Sequence, residues 1–514
     1  MKTNNNKWWV LGTVSLAVFM AMLDITIVNV ALPEIQKSFN ESFANLQWVL
    51  NAYTLVYAVA LLPLSKLGDL FGRKKIFLIG LLIFMVGSLA SGLATNNLML
   101  NLFRGLQGIG GAAMMSLSLS IVTSSFPEKQ RGLALGIWSS AVGLAVSIGP
   151  LIGGLLVDTL GWRSIFLINL PVGLLALILG MITIKDTSQR KFGKIDFAGL
   201  FFSTLMIFST VFALIQKETH TDYSWTDWRI LNLLGIAILS LILFILIERK
   251  IKDPMIQLSM FASRSFVGAN IAAFTLGAGL YGGFTYLSIL LQSYMGYTAF
   301  ETGVKLLLIS IFTLVLGPIT GIISGKIGNR WLIALALLLG LSGVLAINHL
   351  IKVPFKWSYL LPGFILLGIS NALVNPPISN AAMSSVDEAH VGMASGVLNV
   401  FRQVGISFGV VMLGINVTNG YNDSLNKSLT AITTLPSEIK NQLTSLLHKA
   451  GPFAGQQIFE NAQAKAYNQL PIFTQIKELV FSAYNQGMKE ANLMIAVLLL
   501  IGALASVLLI RDKK

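Results

Sequence analysis

Apolar runs long enough to cross a bilayer recur along the whole chain, and this constrains its fold more than any other feature. Fourteen can be counted, at about 8–32, 46–65, 76–94, 98–122, 133–156, 163–184, 197–216, 230–247, 267–293, 302–324, 331–351, 358–382, 393–417 and 491–510. A helix needs about 20 apolar residues to span the hydrocarbon core. In lipid each backbone polar group must pair inside its own helix or in a closed barrel. Barrel strands would be short and alternating, whereas these runs are continuous. The fold class is therefore an all-α polytopic membrane protein, consistent with 54% hydrophobic and 11% charged residues among 514.

The loops fall into two sets by charge. One set carries Lys66, Arg73, Lys74, Lys75, Lys129, Arg131, Lys185, Arg190, Lys191, Lys194, Arg249, Lys250, Lys252, Lys326 and Arg330. The short loops of the other set hold only Lys37, Arg163, Lys217, Arg229, Lys352 and Lys356. Basic loops stay inside, so with an even number of spans both termini are expected in the cytoplasm. The same rule accounts for the net charge of +14 without a nucleic-acid partner. The first apolar run is too long for a signal peptide and lacks a small-x-small cleavage site, so it reads as a retained span. No cysteine is present and the four histidines are scattered, which argues against disulfides and metal sites. Gly325-Lys326 is followed by Ile327 and lacks the earlier glycine of a phosphate-binding loop, so ATP hydrolysis is unsupported.

An internal repeat organises the chain. Ser124-Ser125-x-x-Glu128-x-x-x-Gly132-x-Ala134-x-Gly136 recurs 260 residues later as Ser384-Ser385-x-x-Glu388-x-x-x-Gly392-x-Ala394-x-Gly396. The same offset aligns Lys66-Leu67-Gly68 with Lys326-Ile327-Gly328. Spans 1–6 thus repeat as spans 9–14, giving a six-helix half at 1–190, two inserted spans at 191–264 and a second half at 265–514. Repeated halves place a binding site at their interface near the bilayer midplane. The offset sets Phe284 opposite Asp24, Phe364 opposite Arg104, Val410 opposite Pro150 and Asn329 opposite Asp69. Ionisable chemistry is therefore concentrated in the first half. Residues 418–490 are too long and polar for an ordinary loop and are expected outside the cell, as a solvated cap or as a lid. Within them Pro436, Ile439, Leu443, Leu446 and Leu447, ending near Gly451, read as an amphipathic helix. Segments 455–469 and 473–489 are also candidate helices.

Three charges lie at membrane depth: Asp24 in span 1, Arg104 in span 4 and Arg402 in span 13. A charge there costs at least about 2.5–3.5 kcal/mol on insertion scales and commonly marks an ion or substrate path; a structural ion pair is the plainer reading. Asp24 can hold a proton or balance a cation. A neighbouring Arg104 would favour its ionised form. Asn29, Trp48, Asn51, Tyr57, Gln107, Phe284, Asn371, Asn375 and Arg402 are candidates to line a cavity. Glu34, Glu301 and Glu388 are left open as further proton sites.

Four stretches resemble signature motifs of the major facilitator superfamily, in its fourteen-span drug:proton antiporter branch. The first is Leu23-Asp24-x-Thr26-Ile27-Val28-Asn29-Val30-Ala31-Leu32-Pro33. The second is Lys66-Leu67-Gly68-Asp69-x-Phe71-Gly72-Arg73-Lys74-Lys75, and the third is Leu102-Phe103-Arg104-Gly105-x-Gln107-Gly108 in span 4. The fourth is Gly143-x5-Gly149-Pro150-x-x-Gly153-Gly154 in span 5. Trp162-Arg163-Ser164-Ile165-Phe166-x-Ile168-Asn169-x-Pro171 is similar to the same branch. The resemblance implies a proton-coupled efflux antiporter for amphipathic drugs that works as a monomer, without ATP or another cofactor. It implies proton handling by Asp24 and Arg104, a cytoplasmic gate at Gly68, Asp69, Gly72 and Arg73, and a leak barrier at Gly143, Gly149, Pro150, Gly153 and Gly154. Two other readings stay open: export of a specific lipid, peptide or metabolite, and a non-transporting scaffold built on 418–490.

Overall fold

A computed structural model describes residues 6–41, 43–185, 196–220, 223–251, 253–387, 390–431, 437–460 and 471–512. Among the described residues thirteen helices are long and apolar enough to cross a membrane, and a bent pair taken as one span makes a fourteenth. The spans are Asn6–Phe39, Phe43–Phe71, Arg73–Gly92, Asn97–Ser125, Glu128–Leu160, Ser164–Thr183, Phe197–Thr219 and Trp228–Glu248 in the first part. Then follow Arg264–Tyr294, Ala299–Ile327, Asn329–Leu350, Trp357–Ser384, Val391–Ala431 and Pro471–Leu509. They are numbered span 1 to span 14 below.

Packing repeats from one half to the other. Span 1 lies against spans 4, 5 and 6, and span 4 against spans 2 and 3. Span 9 lies correspondingly against spans 12, 13 and 14, and span 12 against spans 10 and 11. The halves meet where span 5 packs on span 10 and span 2 on span 13, contacts that exchange under the same repeat. Spans 7 and 8 pack on each other, and span 7 also covers the seam between spans 2 and 13. This architecture is the 6+2+6 all-α arrangement expected from the apolar pattern and the internal repeat.

The close approaches are made by glycine. A Cβ on Gly132 would meet the backbone of Gly321, one on Gly136 the backbone of Gly317, and one on Gly110 the backbones of Gly80 and Phe84. Small residues let membrane helices approach to backbone contact, where dispersion replaces the hydrophobic effect as the driving force. Span 5 bends by 42° between Glu128–Val146 and Ile148–Leu160. Pro150, one turn beyond, has no N–H to give to the carbonyl at position 146.

Two expectations are corrected. The repeat does not keep one offset: spans 2 and 10 both have 29 residues and are related by 256, not 260. The helix breaks that follow fall on Gly72 (φ 106°) and Gly328 (φ 92°), each in the left-handed region that favours glycine. Gly325, rather than Asn329, is then the counterpart of Asp69. Spans 4 and 12 begin at Asn97 and Trp357 and do keep 260. The second correction concerns 418–490. Span 13 runs on to Ala431 and span 14 starts at Pro471, so the two helices project well beyond the hydrocarbon and pack. Tyr421, Leu425, Val480 and Tyr484 are buried in that projection. The amphipathic helix is present as Ser437–Ala450, ending at Gly451 with φ 73°. Of 455–469 only Gln457–Glu460 is helical among the described residues, whereas 473–489 belongs to span 14. Pro436 and Glu388 lie outside the described residues.

Candidate functional site

The deepest polar cluster forms around Asp24, which has no solvent exposure. Arg104 Nη1 donates to Asp24 Oδ2 at 2.5 Å and to Gln107 Oε1 at 2.8 Å. Gln107 Nε2 and Asn169 Nδ2 donate to the other oxygen, Oδ1, at 2.9 and 3.0 Å. Arg104 Nε reaches the Val49 carbonyl at 3.2 Å, and the guanidinium sits 4.4 Å from the Tyr53 ring and 5.8 Å from that of Phe166. Asn169 also donates to Ser88 Oγ at 3.0 Å, and Ser88 donates to the Phe166 carbonyl at 2.8 Å. Spans 1, 2, 3, 4 and 6 thus each place a group in one buried network. A guanidinium suits this position because its planar fork can serve several acceptors at once. The three contacts to the carboxylate all come from N–H donors, one on Oδ2 and two on Oδ1.

Span 5 presses on the same region. A Cβ on Gly149 would collide with the Thr26 hydroxyl, and one on Gly153 would lie 2.8 Å from Ile27 Cγ1. Thr26 is two residues from Asp24. Gly143 faces span 10 instead, where its added Cβ would lie 2.7 Å from Thr313 Cγ2. Gly154 is roomier, with its nearest neighbour, Phe300, at 3.5 Å.

A second group closes the end of the molecule that bears the basic loops. Arg73 Nε donates to Asp69 Oδ1 at 3.0 Å, and the Met393 backbone N–H also donates to Asp69. Met393 is in the first turn of span 13, so the carboxylate faces a helix N-terminus, where negative charge is stabilised. The absence of a side chain at Gly392 makes room for it. Ser65 Oγ donates to the Gly392 carbonyl at 2.5 Å and Ser395 Oγ to the Ser116 carbonyl at 2.7 Å, both across the two halves. Gly68 packs on the Leu117 side chain, and Gly72 provides the turn into span 3.

In the second half, Tyr281 ends a π-helical turn, Gly277–Tyr281. Its hydroxyl donates to Asn371 Oδ1 at 3.2 Å and accepts from Asn375 Nδ2 at 2.8 Å; Asn371 Nδ2 donates to Thr313 Oγ1 at 3.1 Å. Wide turns of this type gather at functional sites. Arg402 is 6% exposed, with one long contact from Nη1 to Asn399 Oδ1 at 3.5 Å. Tyr57, stacked on Tyr53 at 5.8 Å, and Tyr281 both lie within electrostatic reach of it. The stacked tyrosines of span 2 therefore run from the Arg104 cluster toward Arg402.

The other candidates are dispersed. Asn29 is exposed and donates to the Ile25 carbonyl at 3.3 Å. Trp48 packs on Phe212 of span 7 at 6.1 Å, and Asn51 is half-buried. Phe284 borders a small apolar crevice with Leu287, Val344, Ile347 and Leu367, inside the second half. Glu34 pairs with Lys37 at 2.7 Å at the surface, and Glu301 completes a capping box with Thr298. Both carboxylates thus have structural partners. Asn169, Tyr53 and Tyr281 were not among the expected site residues. Their signal was present: each is a polar group inside an apolar run, next to a proline, glycine or aromatic motif.

The family described as Major Facilitator Superfamily matches residues 14–410. The multidrug resistance protein Stp of Mycobacterium tuberculosis is 35% identical over 412 residues, covering 80% of this chain and 76% of that protein. The multidrug transporter protein MdtP of Bacillus subtilis is 32% identical over 442 residues, covering 86% and 79%. Among solved structures, a bacterial homologue of the human lysosomal transporter Spinster, inward-facing and unoccupied, superposes with a TM-score of 0.58. It shares 19% identity, with 98% of this chain and 97% of that one covered.

Proposed function

The chain belongs to the major facilitator superfamily of membrane transporters, and we propose that it is a proton-coupled exporter of amphipathic drugs from a bacterial cytoplasm. The observation that carries the proposal is the Asp24–Arg104 pair, sealed at membrane depth with every oxygen of Asp24 occupied. A proton can enter only when the pair opens. Loading then frees Arg104 from its partner, and reclosing requires the proton to leave. Protonation and conformation are in this way coupled by one ion pair. The names of relatives at 31–35% identity, which include multidrug and antibiotic resistance proteins, support the drug class.

In this reading both termini and the basic loops face the cytoplasm, and the segment 418–490 is extracellular. The Asp69–Arg73–span 13 contact holds the cytoplasmic side shut while the Gly149–Thr26 contact keeps the core dry. Residues 1–190 and 265–514 rock against each other, with 191–264 flanking one seam. The proton gradient supplies the energy, with no ATP or bound cofactor, and a single copy is sufficient.

The test is uptake of norfloxacin, a fluorescent zwitterion, into inside-out vesicles. Accumulation should require an inward-acid gradient and collapse with a protonophore. Uptake indifferent to the gradient would remove proton coupling from the proposal.

A further inference from the structure

We propose that Arg402 is the anchor of an anion-binding subsite, and that the exported molecules carry a carboxylate on an amphipathic frame. The inference rests on the transport reading above and specifies its substrate class.

The two deep cations are treated differently by the fold. Arg104 has a carboxylate, an amide, a carbonyl and two rings around it. Arg402 is almost as buried, yet among the described residues its Nε and Nη2 have no hydrogen-bond partner. Among the described residues no carboxylate forms an ion pair with it. Its neighbours are neutral: Asn399 and the phenols of Tyr57 and Tyr281. A guanidinium offers five donors in a fixed fork and does not lose its proton in proteins. Water can fill the donors but does not cancel the charge.

Position supports a transported ligand over a structural partner. Arg402 lies eleven residues into span 13, which at 1.5 Å per residue is about 16 Å from its start and close to the middle of a 30 Å core. It stands where the seam of spans 2 and 13 joins the two halves. The carbonyl of Arg402 backs onto Gly277, the first residue of the π-helical turn that carries Tyr281. Tyr57, Tyr281 and Phe284, the last two 6.0 Å apart, supply aromatic surface for an apolar body. Because Asp24 and Arg104 neutralise each other, the uncompensated charge at this depth is the positive one of Arg402. An anionic oxygen pair on the ligand matches the fork, with two parallel charge-assisted bonds.

The experiment uses equilibrium binding of pyrenebutyrate and its neutral analogue pyrenebutanol to the purified full-length protein, read by fluorescence anisotropy. Wild type should prefer the carboxylate by about tenfold or more, the range of a buried charge-assisted pair. Arg402→Gln should bind both probes equally. Arg402→Lys should keep part of the preference, since the charge remains and the fork is lost. Equal binding of pyrenebutanol to all three proteins verifies that the variants are folded. The proposal is overturned if Arg402→Gln keeps the preference, or if wild type shows none or binds neither probe. The binding assay needs no gradient, so its result separates from that of vesicle uptake. A carboxylate preference without gradient-driven transport leaves the subsite standing and removes proton coupling.

Discussion

At the scale of single residues, the account turns on how buried charges are satisfied. Removing one member of a buried pair strands the other, which typically costs about 3–5 kcal/mol, whereas replacing both with apolar groups is often tolerated. Asp24→Ala should therefore lower thermal stability strongly, and Asp24→Ala combined with Arg104→Met should recover more than half of the loss. Additive losses in the double variant would show that the two residues are not energetically coupled. Arg104→Lys should behave like a loss of function with partial stability. A lysine cannot bond Asp24, Gln107 and the Val49 carbonyl together, and vesicle uptake should fall at least about tenfold, the scale of one lost charge-assisted bond. Asp24, Arg104 and Gln107 were legible in the sequence because a polar group in an apolar run declares itself. Asn169 was visible only as part of a motif, since nothing in one dimension says that span 6 brings it to span 1. Glu34 and Glu301 show the converse. A carboxylate at a span boundary reads the same whether it handles protons or caps a helix, and the Lys37 and Thr298 partners of Glu34 and Glu301 appear only in the structure.

At the scale of elements, glycine spacing sets which helices can touch. Gly149 and Gly154 stand in one motif but meet different surroundings. Gly149→Ala should cost about 1–3 kcal/mol by overpacking against Thr26, while Gly154→Ala should be nearly neutral; thermal melting of the two variants distinguishes them. The motif's existence was evident from the sequence, but which of its glycines bears on span 1 was not, because that depends on the bend in span 5. The constant repeat offset failed for a related reason. Short sequence matches locate a loop, whereas helix length and the positive φ of Gly72 and Gly328 locate the register. The cysteine-free background permits a direct test of the gate element. A Cβ on Gly396 would lie 2.8 Å from the Ser65 Cβ, and a disulfide joins Cβ atoms about 3.5–4.5 Å apart, so a small adjustment suffices. Ser65→Cys with Gly396→Cys should cross-link on oxidation, stop uptake, and recover with reductant. Failure to cross-link under conditions that support uptake would contradict this contact between spans 2 and 13.

At the scale of the molecule, the two halves share a packing plan but not a chemistry. The first half holds the ion pair and the Asp69 contact; the second holds Arg402 and the amide–tyrosine network. Asp69→Asn removes a charge at the span 13 N-terminus, an interaction of about 0.3–1 kcal/mol. It should shift the population with the basic end closed by about two- to fivefold, read as slower cross-linking of the Ser65→Cys, Gly396→Cys pair. The fourteen-span plan was readable from hydropathy alone, because the bilayer forces long apolar helices. The packed projection made by the ends of spans 13 and 14 was not. Polar composition identifies a segment outside lipid but says nothing of Tyr294 stacking on Tyr484 at 3.7 Å, or of its hydroxyl donating to the Pro452 carbonyl at 2.6 Å. The most direct test of proton coupling compares two modes of norfloxacin transport in proteoliposomes, gradient-driven accumulation and gradient-free counterflow. Wild type should perform both, and Asp24→Asn should retain counterflow while losing accumulation. Accumulation by Asp24→Asn at the wild-type level would place the coupling outside the Asp24–Arg104 pair and contradict the account.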